Sequence, residues 1–179
     1  MIDASTVVAF WNEAGYQKWF VRDDAFDAQM IEQFADAHHA AARREYEPWM
    51  ESAEGALALM ILLDQFPRNG FRGSAHSYAT DGLARHYADR AIKAGFDRHV
   101  DPALRAFFYM PFEHSEAIED QQRSLDLFAT TGDAEYQRYA QLHYDLIERF
   151  GRFPHRNEAM GRQSTQEEID YLANGGFSG

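Results

Sequence analysis

The sequence contains no cysteine, and this absence excludes several kinds of chemistry at once. Without a thiol the chain forms no disulfides and no thiolate metal sites, and it has no cysteine nucleophile. The absence fits a reducing compartment, so we expect a cytoplasmic protein. The longest apolar run, residues 56–63, is much shorter than a membrane span. Residues 1–15 also lack the basic segment and apolar core of a signal peptide, so we expect neither insertion nor export.

Positive charge is scarce as well. Lys and Arg number 17 against 29 Asp and Glu, which gives a net charge of −12. A surface of this sign repels phosphate backbones and anionic lipids, so the composition predicts no nucleic-acid partner and no membrane docking. Glycine-rich phosphate loops and Gly-x-Ser-x-Gly nucleophile elbows are both missing, and neither nucleotide binding nor serine hydrolysis is indicated.

Strand signals are nearly absent, whereas helical periodicity recurs along the whole chain. We predict an all-α fold, a compact bundle of antiparallel helix pairs forming a single all-helical domain over residues 1–179. Residues 54–66 are apolar on nearly every side and should form the central, buried helix, which Pro67 should end. Gly15 should end the first helix.

Local signals also predict where the helices begin. Ser5 or Thr6 should cap the first helix, and Ser164 with Glu167 should form a capping box at the last one. The long second helix should start near Asp23. The remaining helices are expected over residues 78–94, from 101 onwards, over 113–129 and over 133–150.

Two similar phrases concentrate polar and aromatic residues, DQFPRNGFRG at 64–73 and RFGRFPHRN at 149–157. In each, an apolar helix leads into Phe-Pro and then into a basic turn. Asp64 should be buried at the end of the central helix, and Arg68, four residues on, is its expected partner. This pair either closes the helix end or holds a carboxylate inside a pocket.

The second phrase places Arg152, His155 and Arg156 in one turn. A single cation there would satisfy the helix dipole, and three exceed that need. Because the guanidinium fork matches carboxylate and phosphate, we interpret these side chains as a site for an anion. Asn69 and Asn157, the amides of the two phrases, are expected to belong to it.

Two histidines are predicted near the interior. His143 lies in the middle of the apolar stripe of its helix and should point inward. His114 either shares a buried helix face with Gln121 or lies in the joint before a helix capped by Ser115. Each is a hydrogen-bonded core residue or, because histidine titrates near neutrality, an acid/base group. Both are therefore candidate catalytic residues.

Signals for a metal site are weak. No histidine pair has the His-x-x-x-His spacing that brings two imidazoles together on one helix face. His38 and His39 are adjacent and are expected to point apart. We therefore predict no metal ligands, and the residues leave any cofactor unspecified.

Four phrases resemble a known family: LLDQFPRN, FYMPFEHSE, DQQRSLDLF and RFGRFPHRN with the following GRQST and EEI. Together they make the chain similar to the bacterial family catalogued as domain of unknown function 924. The resemblance covers nearly the whole sequence and implies a tetratricopeptide-like α-α superhelix. It implies no activity, substrate or catalytic residue.

Three functions are compatible with these residues. The first is a pocket that binds a small anionic ligand, with or without acid/base catalysis. The second is a groove that binds a peptide and its carboxylate. The third is a buried hydrogen-bond network that only stabilises the fold. Glu116 belongs to the first or forms a surface ladder with Asp120 and Arg123. Whether the protein is an enzyme, and its oligomeric state, stay open. The full set of expected ligand-binding residues is Asp64, Arg68, Asn69, Glu116, Arg152, His155, Arg156 and Asn157.

Overall fold

The computed structural model describes residues 2–179, and no β-strand occurs among them, which confirms the all-α prediction. By their contacts these residues divide into two compact units. The first unit comprises residues 2–72 and His76–Pro111, and the second comprises Gly73–Ala75 and Phe112–Gly179. The expectation of one domain over the whole chain stays a prediction. No helix in residues 2–179 is both long enough and apolar enough to cross a membrane.

The helices of the first unit surround one apolar segment. Helix α3, Ala53–Met60, continues through a π-helical turn, Ile61–Gln65, into the short helix α4, Phe66–Gly70. Residues 55–67 of this segment are buried on all sides, close to the predicted run of 54–66, because neighbouring helices cover each face, whereas Glu54 is exposed. The helices packed against this segment are α1, Ala4–Phe20, α2, Asp24–Ala42, and α5, Asp81–Lys93.

Pro67 does not end the central helix, contrary to the prediction. The preceding turn is π-helical, so the Phe66 N–H bonds to the Ile61 carbonyl five residues back. Proline has no N–H to donate to an earlier carbonyl. Side chains from elsewhere in the first unit supply donors for these carbonyls instead. His38 Nδ1 lies 2.8 Å from the Leu62 oxygen, and the Thr80 hydroxyl donates to the Leu63 oxygen.

The first helix also departs from its predicted ends. Asp3, rather than Ser5 or Thr6, is the cap, since its carboxylate accepts the Thr6 N–H at 2.8 Å. Gly15 adopts φ 73°, which kinks the helix without ending it. The predicted start of α2 is confirmed, with Asp23 as the cap.

In the second unit, α7, Ile118–Ala129, and α8, Ala134–Phe150, form a helix pair joined by a short turn. A short helix, α9, Gln166–Ala173, follows. The preceding helix α6, Met110–Glu113, lies where the chain passes from the first unit to the second. Helices 78–94 and 133–150 were predicted within a few residues, whereas the segment after Asp101 is a 3₁₀-helix, Pro102–Phe108.

Two boundaries in the second unit were predicted wrongly. Helix α7 begins at Ile118 and not at 113. The carbonyls of Glu113 and Ser115 accept hydrogen bonds from the side-chain amide of Gln121, which takes the place of the backbone N–H groups that a helix would supply. The capping box of α9 is formed by Thr165 and Glu168, one residue later than predicted.

Candidate functional site

The predicted pair of Asp64 and Arg68 is confirmed, and a third charged group joins it. Arg68 Nη1 lies 3.2 Å from Asp64 Oδ1 and donates to the Asp64 carbonyl at 2.7 Å. The same guanidinium holds Asp81 with two bonds of 2.9 and 3.1 Å. The Asp64 side chain is 0% exposed. Arg68 is therefore the cation that compensates two buried carboxylates.

Asn69 takes part in a neighbouring cluster of the first unit. Its amide donates to Asp27 Oδ1 at 2.7 Å, and Arg72 Nε donates to Asp27 Oδ2 at 3.0 Å. Asp27 lies on α2, and Asn69 is the last but one residue of α4, so these bonds join the two helices. The predicted ligand-binding role of Asn69 stays a prediction.

Three histidines of the first unit meet at the side of α2. His38 and His39 do not point apart as expected: their ring centroids are 5.1 Å apart, and His76 lies 5.3 Å from the first and 5.7 Å from the second. His38 is fully buried, and the other two are at least partly exposed. Burial lowers the pKa of His38 to about 4, so the ring is neutral at neutral pH.

In the second unit, Arg152 and Asn157 converge on one carboxylate of the chain itself. Arg152 holds Glu168 with bonds of 2.6 and 2.7 Å, and the Asn157 amide adds a bond of 3.2 Å. Glu168 is only 2% exposed. The hydrogen bonds from Arg152 lower the pKa of Glu168 to about 2.

Glu116 does not form the ladder with Asp120 and Arg123 that was one of its two predicted roles. Its carboxylate accepts two bonds from Arg162, at 2.6 and 2.9 Å, and a third from the Phe153 N–H at 2.8 Å. Burial alone would raise the pKa of Glu116, but these bonds outweigh it and the pKa is lowered. Glu116 thus anchors the turn that carries Phe153.

His143 is buried, as predicted, and its surroundings are aromatic. Nδ1 lies 2.8 Å from the Tyr139 carbonyl and 3.3 Å from Glu113 Oε1. The rings of Phe153 and Phe177 pack edge-on at 5.4 and 4.8 Å. Burial lowers the pKa of His143 to about 3, which makes it a neutral donor to the carbonyl at physiological pH.

His114, His155 and Arg156 lie around the same aromatic group. The His114 ring is 6.4 Å from that of His143, and it occupies the joint before α7, the second of its two predicted positions, although Ala117 and not Ser115 is the cap. His155 packs on Phe177, and the buried Arg156 guanidinium lies 4.3 Å from the Phe153 ring. Their catalytic and ligand-binding roles stay predictions.

His143 has a measurable consequence for stability. Its folded pKa lies below the ordinary 6.5, so its contribution is complete above pH 6.5 and declines as the pH falls towards 3. Between pH 6.5 and 4.5 this loss amounts to about 2 kcal/mol. In His143→Gln, we expect the free energy of unfolding to fall by about 2 kcal/mol less than in the parent between pH 6.5 and 4.5, as measured by urea denaturation. The exposed His99→Gln variant is the control, and an equal slope in both variants would contradict the assignment.

The second unit also contains an open groove of about 810 Å³ alongside α8. Two arginines of α8 lie at the groove with aromatic rings beneath them: Arg138 Cζ is 4.3 Å from the Tyr139 ring, and Arg149 Cζ is 4.6 Å from Phe150 and 5.6 Å from Tyr171. Their partners are Glu135 and Glu167, which are 50% and 62% exposed.

The structure therefore separates the predicted residues into two groups. Asp64, Arg68 and Asn69 lie in the first unit, and the other predicted residues lie in the second. The sequence interpretation missed the groove arginines and the histidine cluster. A signal for the cluster existed, because Met30, Phe34 and His38 recur every four residues and share the buried stripe of α2.

These features define an all-α protein whose arginines mostly bind carboxylates of their own chain. The family model described as a bacterial protein of unknown function (DUF924) matches residues 7–176, so the chain belongs to this family. A solved structure of a protein of unknown function from Agrobacterium tumefaciens is 55% identical, with 96% of this chain and 97% of that chain covered and a TM-score of 0.93. No curated protein matches the sequence.

Proposed function

We propose that the groove beside α8 binds a small molecule that carries a carboxylate. The observation behind this proposal is that Arg138 and Arg149 are both half-exposed and both lie over aromatic rings at the groove. A guanidinium fixed in this way presents its hydrogen-bond donors at its edge, where a ligand carboxylate can accept two of them in place of the exposed Glu135 or Glu167. The groove volume is within the usual range for a small ligand.

Arg138 and Arg149 are better candidates than Arg68 and Arg152 because the carboxylates that pair with them within the chain are exposed rather than buried. A ligand that took Arg152 would leave Glu168 buried without its cation, and one that took Arg68 would do the same to Asp64. Exposed ion pairs, by contrast, contribute only about 0–1 kcal/mol, so a ligand displaces Glu167 at little cost. The proposal therefore moves the anion site from Arg68 and Arg152 to α8, whose Arg149 is also the first residue of the second phrase.

The spacing of the arginines limits the ligand. Residues 138 and 149 are eleven positions apart, which places them on the same side of α8 and about 16 Å apart along its axis. Tyr139, Leu142 and Phe177 line the space between them. A ligand with one carboxylate at Arg149 and an apolar or aromatic body along the groove would use both kinds of contact.

Calorimetric titration with aromatic and aliphatic carboxylates tests the proposal. Arg149→Gln should weaken binding about tenfold or more, since a hydrogen bond to a charged group contributes about 1.5–3 kcal/mol. The matched control is Arg22→Gln, an exposed arginine of the first unit that pairs with Asp24. Equal affinity in both variants, or no binding by the parent protein, would contradict the proposal.

The peptide-binding alternative has a separate outcome in the same experiment. Binding of a peptide with a free C-terminal carboxylate, lost on amidation and accompanied by no binding of small carboxylates, would favour a peptide groove. Catalysis is not part of the proposal, because a general acid or base must reach its ligand and His143 is buried.

For the rest of the second phrase, residues 152–157, we propose the structural role instead. Arg152 and Asn157 donate to Glu168, and the Phe153 N–H donates to Glu116. Satisfied buried networks of this kind stabilise a single arrangement of the chain. The stability of Glu168 variants, argued in the Discussion, tests this role.

A further inference from the structure

We propose that His38, His39 and His76 form a binding site for one divalent transition-metal ion of the zinc type. One ring nitrogen from each of the three lies within 4.8 Å of the other two. Neutral imidazole is the preferred nitrogen ligand of zinc in proteins, and three protein ligands with one open position is a common arrangement for it.

The first argument is the orientation of His38. Its Nδ1 lies 2.8 Å from the Leu62 carbonyl and donates its proton there, so Nε2 carries the lone pair. The π-helical turn and Pro67 leave this carbonyl without a backbone donor from position 67, which is why the histidine reaches it. Metal-binding histidines characteristically donate their second ring N–H to a carbonyl or carboxylate, and that bond fixes the tautomer.

The second argument is the distance between ligand atoms. His38 Nε2 and His76 Nε2 are 3.1 Å apart. Two nitrogens bound at about 2.1 Å to one tetrahedral ion are about 3.4 Å apart, so this pair needs a shift of only a few tenths of an ångström. The nitrogen of His39, on the exposed side of the cluster, lies within 4.8 Å of both and would close in on the ion. Because His38 Nε2 is an acceptor, His76 must donate a proton across this contact, and a metal ion would take the place of that proton.

The third argument is that packing already positions two of the rings. His76 stacks on Phe71, with centroids 3.9 Å apart and the planes 12° from parallel, and His38 stacks on Phe66 at 5.0 Å. Rings held in this way lose little conformational freedom when a metal binds. His39 and His76 are at least partly exposed, so the cluster has a side from which an ion and a water ligand enter.

The proposal predicts one zinc per chain. The untagged protein, dialysed against chelator, is titrated with Zn²⁺ by calorimetry and with Co²⁺ by visible absorption, which reports the coordination number. The parent should bind one equivalent, and His39→Gln and His76→Gln should each weaken binding roughly a hundredfold or more, exceeding the effect of losing an outer hydrogen bond. Zinc should also raise the melting temperature of the parent but not that of the His39→Gln and His76→Gln variants.

The matched control is His86→Gln, an exposed histidine of the same unit, which should bind zinc as the parent does. His38 is left unchanged because it is fully buried and also holds Leu62. Melting curves without metal verify that the variants are folded. Failure of the parent to bind one equivalent, or equal affinity in the His39, His76 and His86 variants, would overturn the proposal.

Discussion

Replacing Arg68 by methionine is expected to lower the free energy of unfolding at pH 7 by about 4 kcal/mol. Arg68 is the cation between Asp64 and Asp81, both of which are buried, and methionine of similar length removes the charge while preserving most of the packing. Two carboxylates would then share a poorly hydrated space without compensation. Urea denaturation followed by circular dichroism measures the effect.

The pH dependence of this loss identifies its cause. Without Arg68, the buried carboxylates of Asp64 and Asp81 lose the cation that compensates them, so the folded variant is penalised for their charge. This penalty is relieved as the pH falls and the charges are neutralised, so the variant gains stability relative to the parent. We therefore expect the difference between variant and parent to narrow from pH 7 towards pH 4.

Arg72→Met is the matched control for this experiment. Arg72 also pairs with a buried aspartate, Asp27, but its side chain is 40% exposed and Asn69 donates to the same carboxylate. Its loss should be about 1 kcal/mol. If Arg68→Met and Arg72→Met lowered the free energy of unfolding by the same amount at every pH, Arg68 would not be the cation that stabilises the buried charges of Asp64 and Asp81.

The central helix and its charged end could be predicted because the evidence is local. Residues 54–66 have no polar face, which requires burial, and Asp64 lies within that run with Arg68 one helical turn away. Asp81 could not be predicted as a second partner, since it belongs to α5 and only tertiary packing brings it to Arg68.

Breaker residues misled the prediction where packing outweighs local preference. Gly15 has the left-handed conformation expected of a helix end, yet the chain resumes its helix. Trp11 and Trp19, on either side of the kink, are both buried and stacked at 6.2 Å, and Trp19 Nε1 donates to the Trp11 carbonyl at 2.7 Å. These contacts stabilise the continuation more than the glycine disfavours it.

The sequence singled out the basic phrase at 149–157 but could not identify the partners of its side chains within the chain. Glu116 lies 37 residues before Phe153, whose N–H it accepts, and Glu168 lies 16 residues after Arg152, with which it pairs. A single sequence with 29 acidic residues contains nothing that selects these two. An excess of arginines therefore predicted a site for an external anion, whereas most of them bind internal ones.

Replacing Glu168 by glutamine is expected to lower the free energy of unfolding by about 3 kcal/mol at pH 7. The carboxylate accepts bonds from Arg152, Asn157 and the Thr165 N–H, and glutamine has only one oxygen for these donors. The pKa of about 2, against the ordinary 4.5, corresponds to the same magnitude. Urea denaturation of the parent and of the variant measures it.

The window of pH in which Glu168 acts follows from the direction of that shift. A folded pKa below the unfolded one contributes stability that is complete above about pH 4.5 and is lost as the pH falls towards 2. Glu168→Gln should therefore approach the parent in stability across this window. Glu167→Gln is the matched control, because Glu167 precedes it on α9 and its exposed pair with Arg149 should contribute less than about 1 kcal/mol. A similar loss in both variants, independent of pH, would mean that burial of Glu168 is not what makes the phrase at 149–157 structural.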